Sequence, residues 1–192
     1  MGKRDLGKAR PLDYALDACG WVESAQRIVS PNCDDRPVGQ AIELVVIHAI
    51  SLPPGEFGGT GVPHFFTNTL DLRAHPYYEG LCGLRVSAHF FIRRNGHLIQ
   101  FVPCLLRAWH AGISSWRGRP RCNDYSVGIE FEGVDDVPYE LVQYDVCDAL
   151  MRALSSAYPL SAVAGHCDIA PERKTDPGPA FEWQRISALP RG

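Results

Sequence analysis

The sequence predicts a single α/β domain in which a mixed parallel and antiparallel β-sheet is flanked by helices. Three observations carry that prediction: an apolar, β-branched run at IELVVIHAI (42–50), a two-strand pattern around Asn95-Gly96, and a long helical periodicity over 139–158. Strands and helices interleave around one antiparallel hairpin, which is the pattern of a mixed sheet with helical cover. At 192 residues the chain is long enough for one well-filled core and short for two.

The elements follow in order. MGKRDLGKAR is basic and lacks the apolar centre of a secretory signal, so no export is expected. Residues 1–19 read as an N-terminal extension open to disorder, and 20–192 as the folded domain. The strand at 42–50 breaks at SLPPGEFGG, where Pro and Gly cluster. VSAHFFIRR (86–94) and HLIQFVP (97–103) flank Asn95-Gly96 as a hairpin, because Asn-Gly tolerates the positive φ of a tight turn. YSVGIEFEG (125–133) is a further strand. After Pro138, Leu141, Val142, the apolar positions flanking Asp145, Leu150, Met151 and Leu154 recur at helical spacing. SAVAGH (161–166) is a short strand and WQRISAL (183–189) a final helix. The long connections 51–85 and 104–124 are expected to form binding walls.

Composition excludes several classes. No apolar run reaches the length of a membrane span, and the formal net charge of -3 carries no nucleic-acid or membrane signature. Seven cysteines, odd in number and without a CxxC pair, favour free thiols in a reducing compartment.

The chemistry-bearing residues gather at strand ends. His48 and His166 each close an expected strand, and α/β folds place their sites at such sheet edges. Asp176, in KTDPGP, adds a carboxylate. Two imidazoles and a carboxylate suit Zn²⁺, with a fourth position left for water. Cys167 adjoins His166, but neighbours on a strand point to opposite faces, so it reads as a buried thiol. Asp168 shares a face with His166 and stays open as a ligand or an outer contact. Glu130 and Glu132 point to one face of their strand, where a carboxylate can act as general base. Lys174 suits an oxyanion partner better than a neighbour of a structural metal. His110, beside Trp109, reads as pocket wall, with a core position for the tryptophan as the alternative. His89 and His97 read as sheet residues.

VVIHAISLPPGEFGG, HPYYEGLCGLRVSAHFFIRRNG, RAWHAGISSWRGRPRCNDYSVGIEFEG and GHCDIAPERKTDPGPAFEW resemble the AmpD-type N-acetylmuramoyl-L-alanine amidases, from about Gly20 to Leu189. The resemblance implies a fold shared with peptidoglycan recognition proteins and one Zn²⁺ per chain, held by His48, His166 and Asp176. It implies catalytic roles for Glu130 and Lys174. Arg85 would grip a ligand carboxylate, and Trp109, His110 and Arg121 would line the substrate pocket. The implied reaction is hydrolysis of the bond between the lactyl group of 1,6-anhydro-N-acetylmuramic acid and L-alanine, during cell-wall recycling in the bacterial cytoplasm. The implied partner is that anhydromuramyl peptide, with no nucleic acid, membrane or protein partner. Two positions depart from the family pattern: Ala49 and Asp168 stand where asparagine is common. The rival readings are a lysin acting on intact peptidoglycan and a non-catalytic peptidoglycan-binding module.

Overall fold

The computed structural model describes residues 12–192. Among the described residues are ten strands: β1 (Gln26–Arg27), β2 (Cys33–Asp35), β3 (Leu44–Ile50), β4 (Phe90–Ile92), β5 (Leu98–Gln100), β6 (Leu106–Ala108), β7 (Ser115–Trp116), β8 (Arg119–Pro120), β9 (Ser126–Glu132) and β10 (Ala162–Gly165). The α-helices are α1 (Gly61–Phe66), α2 (Leu141–Ala157) and α3 (His166–Ile169). Six strands form the main sheet in the order β1-β5-β4-β9-β3-β10. β4, β9, β3 and β10 run parallel, while β4 and β5 form the antiparallel hairpin. The mixed sheet with helical cover is as the sequence predicts.

β3 and β9 are the longest strands, and β9 is buried along its whole length. Their alternate residues divide between two faces. On one, Val45, Ile47, Val127, Ile129 and Phe131 meet Val146, Cys147, Leu150, Met151 and Leu154 of α2. On the other face, α1 lays Val62, Phe65 and Phe66 against Phe91, Ile99 and Phe101. Parallel neighbours need a crossover, and α2 supplies it, carrying the chain from β9 over the sheet to β10 beyond β3.

Several expectations are corrected. The hairpin strands are shorter than drawn, and of Asn95 and Gly96 only Gly96 takes a positive φ, 81°. Gly96 N donates to Arg93 O at 2.8 Å, so the loop is a turn followed by one left-handed glycine, with Asn95 Oδ1 accepting from His97 N. Glycine is also demanded by Val142, which a Cβ at 96 would meet at 2.6 Å. Leu141 and Val142 are 57% and 38% exposed on the first turn of α2, while Tyr144 and Val146, which flank Asp145, point inward as part of the expected helical pattern.

The expected helix at 183–189 is one 3₁₀ turn, Trp183–Arg185. Asp148 Oδ1 accepts from both Ser187 N and Ala188 N at 2.9 Å, so these amides serve a side chain and not a helix. Of the expected N-terminal extension, residues 1–11 lie outside the described residues. Residues 12–19 run along the domain, Tyr14 and Leu16 packing on the core and Leu16 bridging to Val22. Among the described residues no helix is long and apolar enough to cross a membrane.

Candidate active site

Three parallel strand ends set the site. His48 of β3 is the register partner of Glu130 of β9, and Ile47 is that of Gly165 of β10. His166 therefore follows its strand at the level of His48, and the site lies at the carboxyl ends of adjacent parallel strands. His166 opens α3 and does not end β10, which alters the geometry of its neighbours. In a helical turn Asp168 swings away from His166, and its Oδ2 accepts from Gly165 N at 2.8 Å. Asp168 is thus not a ligand of this cluster. Cys167 is half-buried, and its backbone N donates to Asp176 O at 2.9 Å, tying the aspartate loop to the helix start.

Asp176 reaches back from that loop. Its Oδ2 lies 3.1 Å from His166 Nδ1 and 3.4 Å from His48 Nδ1, and the two Nδ1 atoms are 2.9 Å apart. His166 Nε2 faces Ala111 O at 3.3 Å and donates to it, which leaves its Nδ1 bare. Tetrahedral Zn²⁺ with bonds of about 2.0–2.1 Å separates its ligands by about 3.3 Å, so the three donors fit a single ion. Lone pairs so closely opposed repel unless a cation or a proton lies between them. Protons are disfavoured here: burial, with His166 adding to it, holds the His48 pKa down at about 4. Burial works against ionisation of Asp176, yet its closeness to the His166 and His48 rings holds it below the usual carboxylate range. Ala49 points away from His48, packing towards the α2 side of the sheet.

Glu130 is buried, and its Oε2 has no hydrogen-bond partner among the described residues. A buried carboxylate oxygen left unpaired is costly and marks a group that acts on something outside the fold. Burial raises its pKa well above the ordinary value, Asp176 raises it further, and Lys174 opposes both. Lys174 is half-buried and lines the same cleft. Glu132, two residues on, serves the fold instead. It accepts from Gly58 N at 2.6 Å and Arg94 N at 3.0 Å, clamping the loop after β3.

The cleft over this cluster encloses about 760 Å³. Both long connections wall it, as expected: Leu52, Phe65, Tyr77 and Leu81 come from the first, Trp109 and His110 from the second. His48, Glu130, His166, Lys174 and Asp176 all face it. Arg85 and Arg121 are not brought there. Leu84 and Val86 line the cleft on either side of Arg85, whose guanidinium donates to Leu84 O. Arg121 pairs with Asp124 at 2.9 Å.

His110 is only 8% exposed. Its Nδ1 lies 2.9 Å from His48 Nε2 and its Nε2 lies 3.1 Å from Ser126 Oγ. Sequence reasoning missed Ser126, Gly128 and Arg173. Arg173 Nη2 donates to Ala111 O and Ile113 O at 2.8 and 2.9 Å, joining the aspartate loop to the 109–114 wall. The signal for the first two was present: residues 126, 128 and 130 share a strand face, and two small residues before a buried acid mark a close approach.

The family model described as N-acetylmuramoyl-L-alanine amidase matches residues 38–179. The 1,6-anhydro-N-acetylmuramyl-L-alanine amidase AmpD of Citrobacter freundii is 54% identical over 172 residues, 88% of this chain and 92% of that protein. A crystal structure of selenomethionine AmpD superposes with a TM-score of 0.86 at 52% identity, covering 91% of this chain and 98% of the other. The amidase AmiD of Escherichia coli, solved with the substrate anhydro-N-acetylmuramic acid-L-Ala-D-γ-Glu-L-Lys, superposes at 0.54 with 27% identity, over 89% of this chain and 63% of that one.

Proposed function

The chain belongs to the N-acetylmuramoyl-L-alanine amidase family, and we propose that it is the zinc-dependent member that cleaves 1,6-anhydro-N-acetylmuramyl peptides between the lactyl group and L-alanine. The observation that carries the reading is the convergence of His48 Nδ1, His166 Nδ1 and Asp176 Oδ2 beside the unpartnered, buried Glu130. The specificity for anhydro fragments rests on likeness to AmpD over most of both chains. AmiD, bound to an anhydromuramyl tripeptide, supports the view that this fold accommodates such a ligand.

His48, His166 and Asp176 would hold the metal. Zn²⁺ bound there supplies Lewis-acid polarisation of the amide carbonyl and acidifies a water. Glu130 takes the proton of the attacking water, its buried position making it a stronger base than an exposed carboxylate. The Lys174 ammonium stabilises the negative charge that develops on the carbonyl oxygen. A proton is then delivered to the departing L-alanine nitrogen. Trp109 offers an aromatic wall to the sugar. Arg85 would grip a ligand carboxylate after moving from its present partner, and Arg121 would border the substrate.

We place the reaction in the bacterial cytoplasm, on soluble fragments returned from the wall. The test supplies zinc-loaded protein with soluble anhydromuramyl peptide and, separately, with intact sacculi. Release of L-alanine-terminated peptide from the soluble fragment alone supports the proposal; strong lysis of sacculi makes the protein a wall lysin. No release from either leaves only a binding module.

A further inference from the structure

We propose that His110 and Ser126 are positioning residues that lock His48 in the tautomer whose bare Nδ1 faces His166 and Asp176. The inference rests on the metal-site reading above and gives His110 a role other than lining the substrate pocket.

The relay has one end whose polarity is fixed. Cys122 O can only accept, so the Ser126 hydroxyl, 2.6 Å away, donates to it. With its single proton committed, Ser126 Oγ can only accept from His110 Nε2 at 3.1 Å. A neutral imidazole protonated at Nε2 is bare at Nδ1. His110 Nδ1 therefore accepts from His48 Nε2 at 2.9 Å, and His48 in turn is bare at Nδ1. Direction is passed through three side chains that water scarcely reaches: Ser126, His110 and His48 are 0%, 8% and 2% exposed. Left to itself, imidazole exchanges readily between its two tautomers, and only one of them presents Nδ1 to a cation.

The seat of His110 is built for this. Asn123 Oδ1 accepts from His110 N at 3.2 Å and Ala111 N at 2.8 Å, fixing the backbone. The ring packs against Gly128, where a Cβ would stand 2.5 Å from His110 Cγ. Any side chain at 128 would push the ring away from His48.

Two measurements test the proposal. Proton–nitrogen correlation NMR of the zinc-loaded protein locates each ring proton; His110 and His48 are both expected to carry theirs on Nε2. A proton on His110 Nδ1 overturns the proposal. Chelator competition then compares zinc affinity in Ser126→Ala, His110→Leu and His110→Asn, each checked for cooperative melting. The first two should bind zinc about 10- to 100-fold more weakly. His110→Asn should recover most of the loss, because its Oδ1 can replace Nδ1 as acceptor. Unchanged affinity in folded Ser126→Ala and His110→Leu overturns the proposal. A wild-type chain that takes up no zinc overturns the site reading instead, and the ring protons of the metal-free protein still decide the direction of the relay.

Discussion

His48 and Glu130 are register partners on adjacent parallel strands, and both side chains emerge into the same cleft. One hydrogen-bonded sheet thus holds a metal-type donor and a candidate base at a fixed spacing. Strand pairing, and not a loop, sets their distance, so the two functions can be separated by mutation.

Glu130→Gln should keep the metal and lose the chemistry. Turnover is expected to fall about 10²- to 10⁴-fold, with zinc content by atomic absorption unchanged. A zinc-replete variant with near-native rates would remove Glu130 from the mechanism.

Replacing a donor should do the reverse. His166→Ala breaks the three-atom convergence with His48 and Asp176. The purified variant should contain far less than one zinc per chain. Full occupancy would rule His166 out as a ligand.

Lys174→Ala removes the only lysine facing the cleft among the described residues. If its charge acts mainly on the developing oxyanion, kcat should fall about 10²- to 10³-fold with little change in KM. A change confined to KM would make Lys174 a ground-state binding residue.

Glu132→Ala tests the clamp that neighbours the site. Gly58 N and Arg94 N would both lose their acceptor. A loss of about 2–3 kcal/mol is expected, seen as a lower urea midpoint. An unchanged midpoint would mean that water replaces the carboxylate without cost.

Asp148→Asn carries a pH signature. Burial opposes ionisation of Asp148, but hydrogen bonds from Ser187 and Ala188 prevail and lower its folded pKa. A lowered folded pKa means stability that is present above the unfolded value, about 3.9, and lost as pH falls through the folded one. The variant should be about 1 kcal/mol less stable at neutral pH, with the gap closing in acid. Melting curves from pH 7 downwards check this, and a gap independent of pH would refute it.

Much of this site is legible in the residue order. IELVVIHAI and YSVGIEFEG announce buried strands because every residue must suit a doubly covered sheet. His48, Glu130 and His166 stand out as polar groups at the ends of such runs. The family likeness extends the same positions to a reaction. Expectations failed where a tertiary partner overrode a local preference. Residues 183–189 have helical spacing, but Asp148 takes two of their amides. Leu141 and Val142 share the helical spacing of α2, but both stay exposed on its first turn.

Residue order alone carries the fold class, the long walls of the cleft and the residue types of the candidate centre, since these follow from periodicity and from side-chain chemistry. That Asp168 stands aside from it follows from the folded chain, because His166 begins a helical turn and does not end a strand. The tertiary structure alone also placed His110 behind His48, and it left Arg85 and Arg121 outside the cleft wall. Hydrogen-bond direction and burial are properties of groups brought together from distant parts of the chain, and no local pattern of residues encodes them.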